Sequence, residues 1–296
     1  MRVDANGCAI EVEDSGNADR PAVVLVMGLG MQLVAWPDAF LGALAAAGYR
    51  VVRFDNRDVG LSRKFDELGI PNIVWETVKH RFGFGVRAPY TLHDMARDTL
   101  GVMDALRIQR AHIVGVSMGG MVAQRVALAE PDRVMSLSSI MSSSGAPYLP
   151  GPKAHVLRAL LSRPDGKSEE AVVDHYVRLF RVIGSPGFPM DEADLRQRVR
   201  TAARRSFHPQ GTLRQLTAVA ADTRRADELP RIKSPTLVIH GRDDPLVPMP
   251  CGQDTARRIP GSKFHTVAGM GHDLVPGVVA KILESLVPHL QSVQLA

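Results

Sequence analysis

The chain has 296 residues, of which 45% are hydrophobic and 23% charged, the balance of a globular protein with a core large enough to fold without staples. No apolar run approaches the ~18–20 residues of a membrane helix, and the opening Met-Arg-Val-Asp-Ala-Asn-Gly lacks the basic-then-apolar order of a secretory leader. Cys8 and Cys251 are too few for a disulfide scaffold or a cysteine-based metal cage. The expectation is one large domain, or one domain with an insertion, in a reducing cytoplasm with both thiols free.

Lys and Arg number 36 against 31 Asp and Glu, a net charge of +5. The stretch Ala146 to Pro230 holds 14 of the basic and 10 of the acidic residues, so nearly all of the excess lies there. A nucleic-acid surface interleaves basic residues with aromatics or sits on a recognisable module. Aromatics are only 5% here. The basic stretch therefore reads as a solvated set of helices, with neither a nucleic-acid nor a membrane partner expected.

In chain order, Asn6-Gly7 between short apolar runs predicts a tight hairpin. Ala22 to Met27 is a continuous apolar run ended by Gly28, the signature of a strand buried on both faces. Phe40 to Ala47 is helix-like, and Arg50 to Phe54 is a strand closed by Asp55-Asn56-Arg57-Asp58-Val59-Gly60. Leu92, Met95, Ala96, Leu100, Met103 and Leu106 share one helix face. Strands follow at His112 to Val116, Val134 to Met141, Thr236 to His240 and Lys263 to Val267, and a helix from Gly277 to about Leu290 ends the series. Strands separated by helices imply right-handed crossovers and a largely parallel, helix-covered sheet.

The rhythm breaks between Ala146 and Pro230, where helical stretches are interrupted by Pro147, Pro150, Pro164 and Gly184-Ser185-Pro186-Gly187. This predicts a helical lid over 146–230, inserted between a first core part, 1–145, and a second, 231–296. Its apolar positions Val156, Leu157, Leu160, Leu161, Val172, Val173, Tyr176, Val177, Leu179 and Phe180 read first as helix-face packing and second as a pocket for an acyl or aromatic group. Arg204-Arg205 and Arg224-Arg225 read as a solvated face, with attraction of an anionic substrate as the alternative.

The most informative segment is His112-Ile113-Val114-Gly115-Val116-Ser117-Met118-Gly119-Gly120, a Gly-x-Ser-x-Gly between an apolar strand and a helix. A sharp strand-to-helix turn lifts the serine hydroxyl out of the sheet, and glycines on either side remove colliding side chains. The helix that follows contributes its dipole and a free N–H at Met118, both suited to a developing oxyanion. Neither nucleotide motif is present: Gly-Lys-Ser/Thr is absent, and Gly28-Leu29-Gly30 has Leu33 where a dinucleotide fingerprint needs a third glycine.

A serine needs a base, and the base a carboxylate to orient it. Among ten histidines, His272 lies in the glycine-rich Ala268-Gly269-Met270-Gly271-His272-Asp273 just after the last strand. His112 and His265 fall within strands and read as packed imidazoles, while His240 ends a strand and suits a supporting role. For the acid, Gly241-Arg242-Asp243-Asp244 follows the penultimate strand, at the functional edge of an open sheet. The two aspartates compete, Asp243 also suiting a solvated turn or a local loop bond. The order Ser117, Asp244, His272 is that of α/β-hydrolases.

On these residues the sequence resembles the α/β-hydrolases over nearly its whole length. The resemblance implies an α/β fold with a mostly parallel eight-stranded sheet, helices on its faces and an inserted helical cap. It makes Ser117 the nucleophile, Asp244 the acid as fourth residue of Gly-x-x-Asp, and His272 the base, with no metal or organic cofactor. Met135 to Pro150 contains no Asp or Glu, which removes the family's other position for the acid. Asp55 to Ser62 matches a recurring loop that is usually structural. Where many members have His-Gly, this chain has Met27-Gly28, so the second oxyanion donor is expected to be the backbone N–H of Leu29. Val-Met-Gly here, Ala35-Trp36-Pro37 and Gly269-Met270-Gly271-His272 are similar to the methyl esterases that demethylate aclacinomycin-type polyketides. The expected function is a serine carboxylesterase acting on small to medium esters. Lactone hydrolysis, perhydrolysis or C–C cleavage are alternatives on the same constellation, and a non-catalytic receptor is the alternative from another class. The expected partner is a small-molecule ester; the sequence leaves the oligomeric state open, a homodimer included.

Overall fold

The computed structural model describes residues 1–72, 85–166 and 168–294. Eight strands form one sheet: β1 (Arg2–Ala5), β2 (Cys8–Asp14), β3 (Ala22–Val26), β4 (Arg50–Phe54), β5 (Ala111–Val116), β6 (Val134–Ile140), β7 (Thr236–Gly241) and β8 (Lys263–Val267). Their order is β1-β2-β4-β3-β5-β6-β7-β8. β1 and β2 pair antiparallel, as do β2 and β4, and every later pairing is parallel. The expected hairpin closes between Ala5 and Cys8, with Asn6 at φ 57° and Gly7 at φ 68°. Two successive positive φ values match the twist of the flanking strands, which is why Asn-Gly serves there.

The helices are α1 (Asp38–Ala46), α2 (Leu92–Ala105), α3 (Met118–Ala129), α4 (Ala154–Leu161), α5 (Glu169–Ile183), α6 (Glu192–Arg205), α7 (Pro209–Ala221), α8 (Arg225–Glu228), α9 (Met249–Arg258) and α10 (Pro276–Gln294). The last runs past the expected Leu290. α2 begins in a capping box between Thr91 and Asp94. Alternation along β3 divides the core. Val24 and Val26 pack with Met95, Met103 and Val122 of α2 and α3, while Val23 and Leu25 pack with Phe40, Leu44 and Ile282 of α1 and α10 on the other face. A strand covered on both sides has no polar face to show, hence its unbroken apolar run.

Between β6 and β7 lie α4 to α8 and, among the described residues, no strand. These helices have a small core of their own, built on Val173, Val177, Leu195 and Val199 with Tyr176, Phe180 and Met190 against it. Packing is thus the role of Val173 and Val177, whereas Leu157 and Leu161 are exposed. Cys8 and Cys251 are unbridged and buried, and burial pushes each thiol up to about 11. No helix among the described residues is long and apolar enough to cross a membrane.

Candidate active site

Ser117 sits between β5 and α3 with φ 56° and ψ −123°, a conformation that costs a non-glycine residue about 1–3 kcal/mol. The surroundings enforce it. A Cβ on Gly115 would lie 2.1 Å from the Gly119 carbonyl oxygen, and one on Gly119 would lie 2.0 Å from that of Val26. Both flanking positions therefore exclude any side chain. The Ser117 N–H donates to Ile140 O at 2.9 Å, and Ser142 Oγ donates to Ser117 O at 2.7 Å. The strained turn is thus stitched to β6 and the loop after it.

His272 Nε2 lies 3.0 Å from Ser117 Oγ, and its Nδ1 lies 2.7 Å from Asp244 Oδ2. Asp244 is fixed from its other side, where Oδ1 accepts the N–H groups of Leu246 at 2.9 Å and Val247 at 2.8 Å. Three residues from the ends of β5, β7 and β8, 155 positions apart at the extremes, form one hydrogen-bonded line. Asp243 takes the other reading weighed for it: its Oδ2 accepts the Gly269 N–H at 2.8 Å and stays out of contact with His272, tying the two loops together.

His240 lies behind the acid. Its Nε2 is 2.7 Å from Val247 O and 3.7 Å from Asp244 Oδ2. Burial holds its pKa below the ordinary 6.5, so the ring is a neutral brace for the Asp244 loop. His112 is fully buried with Nδ1 at 2.8 Å from Ser136 Oγ. His265 is half-way along β8, away from this line.

Opposite the serine, the loop after β3 comes so close that a Cβ on Gly28 would be 3.2 Å from Ser117 Cβ. The N–H groups of Leu29 and Met118 have no acceptor among the described residues. Asn56 Nδ2 donates to Met27 O at 2.9 Å, so the loop after β4 braces the loop after β3.

The two arginine pairs of the helical segment divide: Arg204 and Arg224 lie on the solvated face, while Arg205 and Arg225 do not. Arg205 is paired with the fully buried Asp55 at 2.7 Å. Arg225 is 1% exposed, pairs with Asp222 and donates to Gln124 Oε1 at 2.9 Å. Neither is a solvated cation nor available to a substrate anion. Arg204 and Arg224 are exposed, and Arg204 meets Glu169. Sequence reasoning passed over Arg214, which donates from Nε and Nη2 to Asp58 at 2.8 Å each, both side chains fully buried. Burial is the largest single influence and raises the Asp58 pKa, but the bonds from Arg214 and the Phe65 N–H, with the Arg214 charge, together leave the carboxyl below its ordinary range. The signal available was the acidic pair in Asp55-Asn56-Arg57-Asp58, two buried carboxylates that demand cations from elsewhere in the chain.

The model of the alpha/beta hydrolase fold matches residues 21–276. The chain belongs to the alpha/beta hydrolase family. It is 30% identical to rhodomycin D methylesterase DauP of Streptomyces sp. (strain C5), over 93% of this chain and 92% of that one. It is 27% identical to rhodomycin D methylesterase DnrP of Streptomyces peucetius, with the same coverage. Among solved structures, the enol-lactonase from Burkholderia xenovorans LB400 superposes with a TM-score of 0.70 at 23% identity, covering 98% of this chain and all of that one.

Proposed function

We propose that the protein is a serine carboxylesterase working through an acyl-enzyme on Ser117. The observation that carries this reading is the continuous line from Ser117 Oγ through His272 to Asp244, at 3.0 and 2.7 Å. Ser117 attacks the ester carbonyl as His272 Nε2 takes its proton. Asp244 holds the ring and stabilises its charged form. The N–H groups of Leu29 and Met118 receive the tetrahedral oxyanion, each contributing about 3–4 kcal/mol at the transition state. His272 then protonates the departing alcohol. Water enters, gives its proton to His272 and releases the acid from Ser117.

The likeness to two methylesterases makes methyl esters the first substrates to test. The helices between β6 and β7 act in this reading as a cap over the serine. A cytoplasmic location suits the two buried, unbridged thiols.

The test is hydrolysis of p-nitrophenyl butyrate and a panel of aryl methyl esters by the wild type and Ser117→Ala. A phosphonate ester should add one mass label on Ser117, and the alanine variant should lose both labelling and turnover while its circular dichroism is unchanged. Retained turnover in that variant would sink the reading. Lactones cleaved far faster than linear esters would keep the acyl-enzyme but move the substrate class.

A further inference from the structure

The loop from Met27 to Leu33 closes on itself where the Met31 N–H donates to Gly28 O at 3.2 Å, and side chains hold three of its other peptide groups. Asn56 takes the carbonyl of Met27, and the Leu33 N–H donates to Asp55 Oδ1 at 2.7 Å. Between these, the Gly30 N–H donates to Gln215 Oε1 at 2.8 Å. Gln215 comes from α7, in the helical segment, and is fully buried. Its other end, Nε2, donates to Arg57 O at 2.8 Å. One side-chain amide thus spans the loop after β3 and the loop after β4, with donor and acceptor both satisfied.

A second contact presses the same helix onto the same residue. Gly30 has φ +67°, and a Cβ there would lie 2.7 Å from Oγ1 of Thr212, one turn before Gln215 on α7. A side chain at this position would run into Thr212, so the Gly30 backbone packs against that side chain of α7.

The peptide held by Gln215 follows immediately after Leu29, whose own N–H is the proposed oxyanion donor. Fixing the carbonyl of Met27 on one side and the N–H of Gly30 on the other leaves little freedom for the peptide between them. We infer that Gln215 is a positioning residue for the oxyanion hole: from the helical segment, it sets the direction of the Leu29 N–H without touching the substrate. This rests on the serine-esterase reading above. The chemistry is sensitive to such aim, because a donor misplaced by about 1 Å at the reacting atom costs as much as about 100-fold in rate.

The readout that separates aim from mere packing is a pair of ligands. An aryl trifluoromethyl ketone adds Ser117 Oγ to its carbonyl carbon and becomes an oxyanion, with the serine proton on His272. The corresponding methyl ketone is bound as the neutral carbonyl. Gln215→Met keeps the volume and removes both hydrogen bonds; Gln215→Glu keeps an oxygen for the Gly30 N–H. The expected result is a loss of about tenfold or more in trifluoromethyl ketone affinity for the methionine variant, with methyl ketone affinity within about twofold of the wild type. The glutamate variant should retain the preference to within about threefold, and it decides the matter alone if the methionine variant does not fold. A methionine variant with the wild-type preference, or a glutamate variant that loses tenfold, overturns the inference. If the wild type itself shows no preference for the trifluoromethyl ketone, the esterase reading fails and the inference fails with it.

Discussion

The backbone N–H of His272 donates to the carbonyl of Ile183 at 2.7 Å. Ile183 is the last residue of α5, so the histidine that faces Ser117 is anchored to the end of a helix in the segment between β6 and β7. The same bond fills a helix-terminal carbonyl that would otherwise lack a partner.

Neighbouring contacts reinforce that junction. Asp273 accepts from the Ser185 N–H at 3.0 Å and from Ser185 Oγ at 2.5 Å, and Ser185 Oγ accepts the Gly271 N–H at 2.8 Å. Ser185→Ala leaves a buried N–H and a carboxylate oxygen without partners, which should cost about 1–3 kcal/mol in a urea titration. With the base loop loosened, kcat for p-nitrophenyl butyrate should fall about tenfold while KM stays within about twofold. Unchanged kcat would show that the junction does not steady His272.

The two adjacent aspartates should separate cleanly. Asp244→Asn keeps the shape but removes the charge that stabilises protonated His272, and kcat should drop by about 10⁴. Asp243→Asn can still accept the Gly269 N–H through its amide oxygen, so its kcat should stay within about tenfold. A larger loss at Asp243 than at Asp244 would reverse their roles.

Arg214 and Arg204 offer a contrast in burial. Arg214→Met leaves Asp58 buried without its bidentate partner, and unfolding free energy should fall by about 3–5 kcal/mol. Arg204→Met, at an exposed pair with Glu169, should change it by less than about 1 kcal/mol. Chemical denaturation of the two variants side by side checks both values.

Acid should destabilise the fold through His112, whose burial lowers its pKa to about 4. The unfolded chain, titrating near 6.5, takes up that proton first as the pH falls. Stability from this group is therefore complete above pH 6.5 and is lost between about 6.5 and 4, by about 2–3 kcal/mol at pH 4.5. Urea midpoints at pH 7 and pH 4.5 should differ less in His112→Gln than in the wild type. Equal midpoint shifts in the two proteins would place the acid sensitivity elsewhere.

Local sequence carried the fold and the line of three residues, because each depends on short-range rules. The Asn6-Gly7 turn needs positive φ, β3 needs apolar residues on both faces, and Gly-Val-Ser-Met-Gly needs small residues beside a strained serine. Asp244 and His272 stood out by position alone, just after strands whose carboxyl ends must converge in a parallel sheet. What the tertiary structure decided was pairing across long separations. Whether Asp243 or Asp244 faces the histidine turns on loop geometry that two identical side chains cannot signal. The charge excess of 146–230 was visible in the sequence, but its meaning was not. Arg205 and Arg214 lie 150 and 156 positions from the acids they meet, and only folding brings those buried carboxylates within reach. The basic segment is solvated along much of its length, with Arg158, Arg178, Arg181, Arg198, Arg204 and Arg224 exposed, but it is also tied to the core. Two of its arginines, Arg205 and Arg214, neutralise acids of the loop after β4, and its Gln215, Ser185 and Ile183 grip the loops on either side of Ser117.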